Sequence, residues 1–69
     1  MKINFSPQSK TEAMKIAREY IKSTDGLAYD MNMSVEEAAI HAEIICEHRI
    51  VTVMCGGETA LKLYYQIDE

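Results

Sequence analysis

Ser34-Val35-Glu36-Glu37-Ala38-Ala39-Ile40-His41-Ala42-Glu43-Ile44-Ile45-Cys46-Glu47-His48 is the stretch on which the fold turns. Ser34 and Glu37 stand at capping-box spacing, in which a serine side chain satisfies a backbone N–H three residues on. Beyond them Val35, Ala38, Ala39, Ala42, Ile45 and Cys46 recur at helical intervals. The spacing therefore predicts a helix from Val35 to about His48. Its alanines let a neighbouring layer approach closely. Glu36, Glu43 and Glu47 share the opposite side as an acidic ridge.

Ile40 and Ile44 lie one helical turn apart and away from that apolar stripe. On this reading they are rimmed by Glu36, Glu43 and Glu47 on one flank and by Glu37, His41 and His48 on the other. An apolar pair inside a charged rim has the anatomy of a small binding site. A helix sandwiched between two layers would carry the same pattern, because it too needs two apolar faces.

Downstream, Ile50-Val51-Thr52-Val53-Met54-Cys55 is rich in β-branched residues and reads as a strand. Gly56-Gly57 supplies the positive φ angles of a two-residue hairpin turn, and the return strand runs from Glu58 to about Ile67. A regular two-residue loop sets Cys55 opposite Glu58, Val53 opposite Ala60 and Val51 opposite Lys62. Ile50, Met54, Leu61, Leu63, Tyr65 and Ile67 then share one face, the expected core side. Val51, Val53, Cys55, Ala60, Lys62, Tyr64 and Gln66 share the other. The apolar members of this second face, Val51, Val53 and Tyr64 above all, exceed what a solvated face needs. They point to contact with a partner, a second copy of the chain being one candidate.

Upstream, Ser9 and Glu12 make a first capping box, with Ser6-Pro7 as a competing start. Ala13, Met14, Ile16, Ala17, Tyr20 and Ile21 line one side of the helix that follows. Lys15, Arg18 and Lys22 form a basic ridge on the other. Asp25-Gly26 is expected to end it, with Gly26 in the left-handed conformation. Leu27, Tyr29, Met31 and Met33 alternate with polar or small residues, which predicts an extended segment. Ile3 and Phe5 alternate likewise, as in a short first strand. The expected fold is α+β: two amphipathic helices on a small, mainly antiparallel sheet, in the order β-α-α-β-β, as one domain over 1–69.

The chain has 69 residues, a net charge of −4 and 48% hydrophobic residues. No run reaches the ~20 apolar residues of a membrane span, and Met1 to Pro7 lacks the apolar stretch of a secretory signal. Two cysteines, Cys46 and Cys55, are too few for a disulfide scaffold, so the expected location is the cytoplasm. With 11 acidic against 7 basic residues, the overall field opposes a phosphate backbone, which argues against nucleic acid as the partner.

Catalytic and cofactor signatures are missing from the sequence. His41, Cys46, His48 and Cys55 are the residue types of a zinc site, but without the C-x-x-C or H-x-x-x-H spacing that would converge four ligands. Gly56-Gly57 lacks the surrounding pattern of a phosphate loop. The expectation is a non-enzymatic protein-binding module without metal or cofactor: an inhibitor or adaptor that occupies a partner protein's surface. Short anti-defence inhibitors of phages and mobile elements, anti-CRISPR proteins among them, answer to that description, though no residue indicates one. The expected contact residues are Ile40, Ile44, Glu36, Glu43, Glu47, Val51, Val53 and Tyr64. A small DNA-binding regulator, or one whose acidic ridge mimics DNA, is the alternative.

Overall fold

The structure, a computed structural model, describes residues 9–66. The expected first strand at Ile3 and Phe5, the Ser6-Pro7 break and Ile67 lie outside the described residues. Within them, α1 (Lys10–Lys22), α2 (Leu27–Met31) and α3 (Val35–His41) precede β1 (Ala42–Glu47), β2 (Ile50–Cys55) and β3 (Glu58–Tyr64). The protein is a small α+β domain. Its antiparallel sheet has the order β1-β2-β3, so each strand pairs with its neighbour in sequence.

Both serine N-caps form. The Ser9 hydroxyl accepts from the Glu12 N–H at 3.2 Å, and the Ser34 hydroxyl accepts from the Glu37 N–H at 3.1 Å. Each satisfies one of the amide donors left over at a helix start, a contribution of about 1 kcal/mol. Ala13, Ala17 and Tyr20 recur on the buried side of α1, as the spacing requires.

Three expectations need correction. First, residues 27–31 are helical rather than extended. The alternation of Leu27, Tyr29 and Met31 is coincidental, since Leu27 is buried while Tyr29 is 75% exposed. Asn32, at φ 56° and ψ 51°, closes the helix: its N–H reaches the Tyr29 carbonyl, and the Met33 N–H reaches the Ala28 carbonyl at 2.9 Å. That pair of bonds is a Schellman motif with asparagine in the left-handed position usually held by glycine.

Second, the long helix ends at His41, and residues 42–47 form β1 instead. The same residues satisfy both periods: Ala42, Ile44 and Cys46 alternate with Glu43, Ile45 and Glu47 as well as fitting a helix. Pairing with β2 decides the matter, because it supplies backbone partners along the whole segment, from Ala42↔Cys55 to Glu47↔Ile50. His48 and Arg49 make the connecting turn at φ 52° and 63°, the positive values that a two-residue hairpin of this twist demands. Neither residue type announces it.

Third, the core face of the hairpin is the one expected to meet a partner. Cys55 stands opposite Glu58 and Met54 opposite Thr59, but Val53 stands opposite Leu61, so β3 carries one extra residue around Ala60. A bulge of one residue turns the rest of the strand over. Leu61, Leu63 and Tyr65 are thereby brought to the same side as Val51, Val53 and Cys55, where α1, α2 and α3 cover them. Val51, Val53 and Leu63 are wholly buried, each contributing about 1.5–3 kcal/mol by leaving water.

Tyr20 ties the helices together. Its ring is in the core and its hydroxyl donates to the Asp30 carboxylate on α2. Burial pushes the Tyr20 phenol well above the ordinary 10.0, with the Asp30 hydrogen bond and charge adding to it. Gly26, at φ −103°, is not left-handed. It is needed for closeness: an added Cβ would lie 2.3 Å from the Tyr20 carbonyl oxygen.

Gly26→Ala should therefore cost about 1–3 kcal/mol through forced repacking, and a thermal melt should fall by on the order of 10 °C. The Tyr20 phenol gives a pH signature. Its pKa is higher folded than unfolded, so its contribution is complete below the unfolded value and is lost as pH rises above about 10. Urea melts should show that alkaline loss in the native chain, and Tyr20→Phe should remove this component while lowering stability at neutral pH.

Candidate interaction surface

With the helices all on one side, the sheet's other face has no layer over it among the described residues. The register arranges its side chains in three rows across the strands. Glu43, Met54 and Thr59 form the first, Ile45, Thr52 and Lys62 the second, and Glu47, Ile50 and Tyr64 the third. The Thr59 hydroxyl reaches the Met54 sulfur at 3.2 Å, in keeping with their place on one face. Tyr64 is 61% exposed and Ile45 39%, while Ile50 and Met54 on the central strand are half-buried between them.

The charges sit at the margins. Glu43 and Glu47 are on β1, Lys62 is on β3, and all three are exposed. None has an ion pair with another described residue. On neighbouring but one strands, about 10 Å apart, these side chains rise side by side from the sheet rather than toward one another.

Of the residues expected to contact a partner, Glu43, Glu47 and Tyr64 lie together on this face. Val51 and Val53 do not; they are in the core, because the bulge reverses the hairpin. Ile44 also points to the core side, packed against the buried cluster, and Ile40 stands alone on α3 at 78% exposure. The expected Ile40/Ile44 pair is thus divided between a helix and a strand. Glu36 remains on α3, so the helical acidic ridge is divided as well. Ile45, Ile50, Met54 and Lys62 are the members that periodicity missed. The alternation of Glu43, Ile45 and Glu47 was their signal, masked by the helical pattern.

The residue types that suggest a metal are dispersed. His41 ends α3 and His48 is in the turn, whereas Cys46 and Cys55 face the core. Among the described residues no group of three or more His, Cys, Asp or Glu converges on a point. Cys46 pairs with Val51 and Cys55 with Ala42, four register steps apart, or about 13 Å, too far for a disulfide. The Cys46 thiol instead contacts the Tyr65 hydroxyl at 3.4 Å. No helix among the described residues is long and apolar enough to cross a membrane.

No protein-family model matches the chain, and neither the curated proteins nor the solved structures compared with it include a match. The surface must be interpreted from its own chemistry.

The two thiols should react separately. A disulfide reagent added to the native chain should modify half-buried Cys46 first and reach Cys55, only 1% exposed, on the timescale of unfolding. Two equally fast thiols would mean that the sheet opens at the β2 end.

Proposed function

We propose that the chain is a non-enzymatic protein-binding module, an inhibitor or adaptor that works by occupying another protein's surface with the outer face of its sheet. The observation that carries this reading is Tyr64 and Ile45 held in the open beside Ile50 and Met54, on a three-stranded sheet. A tyrosine and three large aliphatic side chains inside a rim of Glu43, Glu47 and Lys62 have the apolar-centre, charged-margin arrangement of protein interfaces. Aromatic anchors of this kind carry much of the binding energy at such contacts, and a sheet presents them with little entropy left to lose.

Charge favours a protein over a nucleic acid as the target. The face has two carboxylates against one ammonium, and Lys15, Arg18 and Lys22 lie on α1, in the layer behind the sheet.

The test compares the native chain with the double variant Ile45→Lys, Tyr64→Lys as bait in nuclease-treated cell lysate. A protein retained near stoichiometrically by the native chain should be lost by the variant, while circular dichroism and the melting temperature stay unchanged. Equal retention by both would move the contact off this face.

A further inference from the structure

The proposal that the outer sheet face binds protein leaves its occupant open, and the placement of charge on that face selects one. We infer that a second copy of the chain packs on it, face to face, about a twofold axis running roughly along β2. The inference rests on the interaction-surface reading and narrows it.

Register decides which charges meet. A twofold axis along β2 carries β1 of one copy over β3 of the other and leaves each row at its own level. Lys62 of one copy then faces Ile45 of its mate, with Glu43 and Glu47 of the mate about 7 Å to either side along the strand. Across the ~10 Å gap between packed sheets the lysine and glutamate side chains point toward one another and together span that offset. The contact occurs twice, as an isologous interface requires. On the axis itself Ile50 and Met54 meet their own counterparts, and Tyr64 closes the end over the aliphatic stem of Glu47.

The same charges disfavour the alternatives. An axis across the strands through the middle row would set Glu43 over Glu47 of the mate and Lys62 over Lys62. Edge-to-edge pairing of two β1 strands about Ile45 would place Glu43 directly beside Glu47, a like-charge cross-strand pair. Of these three arrangements, the axis along β2 is the one that brings opposite signs together.

The face is small: three strands of six or seven residues span roughly 20 Å by 10 Å of backbone, which puts the contact at the low end for a protein interface and makes the dimer a weak one. Because the copy and any other target would use one face, they compete, and target binding should slow as the chain is concentrated.

The test exploits the twofold. In Lys62→Glu every cross-copy contact becomes acid on acid, and in the double variant Glu43→Lys, Glu47→Lys every one becomes base on base. All three positions are exposed, so the fold should survive in each, as circular dichroism would verify. Sedimentation velocity should find the native chain dimerising at micromolar to millimolar concentration and each variant weakened by roughly tenfold or more. Mixing the two variants should restore association as a mixed dimer, since both contacts are then complementary. A native chain that stays monomeric, or a mixture no tighter than its components, would overturn the proposal. If the chain is monomeric while lysate capture still depends on Ile45 and Tyr64, the second copy is excluded and the binding module stands. A mixed dimer without such capture would establish the second copy and remove the heterologous target.

Discussion

The additional residue of β3 around Ala60 is the constraint on which the rest depends. A hairpin closed by Gly56-Gly57 without it would put Leu61 and Leu63 on the face opposite Val51 and Val53. Each face would then be half apolar, and a domain this small cannot cover both. With it, Leu61, Leu63 and Tyr65 join Val51, Val53 and Cys55 on one side, and a single layer of helices covers them. The irregularity in the ladder costs some backbone pairing. It concentrates the core that a short chain must make from few side chains.

The helical layer answers that concentration with small residues. Ala13, Ala17, Ala28 and Ala38 are buried, so the helices approach the sheet and one another closely. Gly26 carries the same logic to its limit, where even a methyl group collides with the preceding helix. The larger pieces, Leu27 and Tyr20, fill what the alanines leave. Tyr20 also brings a polar end into the packed layer, and Asp30 satisfies it. One consequence is a division of labour: the helix side is packed tightly, while Ile45, Ile50, Met54 and Tyr64 remain as surplus apolar surface on the other side.

Legibility in the sequence followed the reach of the interactions involved. Ser9 with Glu12, Ser34 with Glu37, and Gly56-Gly57 are local devices, and each was readable because the residue type itself performs the bond or adopts the dihedral. The α+β class followed from them. The turn at His48-Arg49 and the helix end at Asn32 use the same geometries with residues that tolerate them less readily, so the elements they bound, β1 and α2, were misassigned. Residues 42–47 carry both periods, and only pairing with β2, a contact made in three dimensions, chooses between them. The bulge left no trace in composition. It sets which face of the hairpin is buried, so Val51 and Val53 lie in the core and Tyr64 outside it; on β1, Glu43 and Glu47 are exposed and Ile44 packs against the core.

The passage from α3 to β1 without an intervening residue has a consequence in time rather than space. Ala42 to Glu47 satisfy the helical period as well as the strand period, so nothing but pairing with β2 holds them extended. The Gly56-Gly57 hairpin closes with unstrained glycine dihedrals, which favours β2 and β3 as the first pair. β1 pairs with β2 alone, so its place in the sheet depends on that strand. The outer face, with Glu43 and Glu47 at its margin, is complete only when this edge pairing is made.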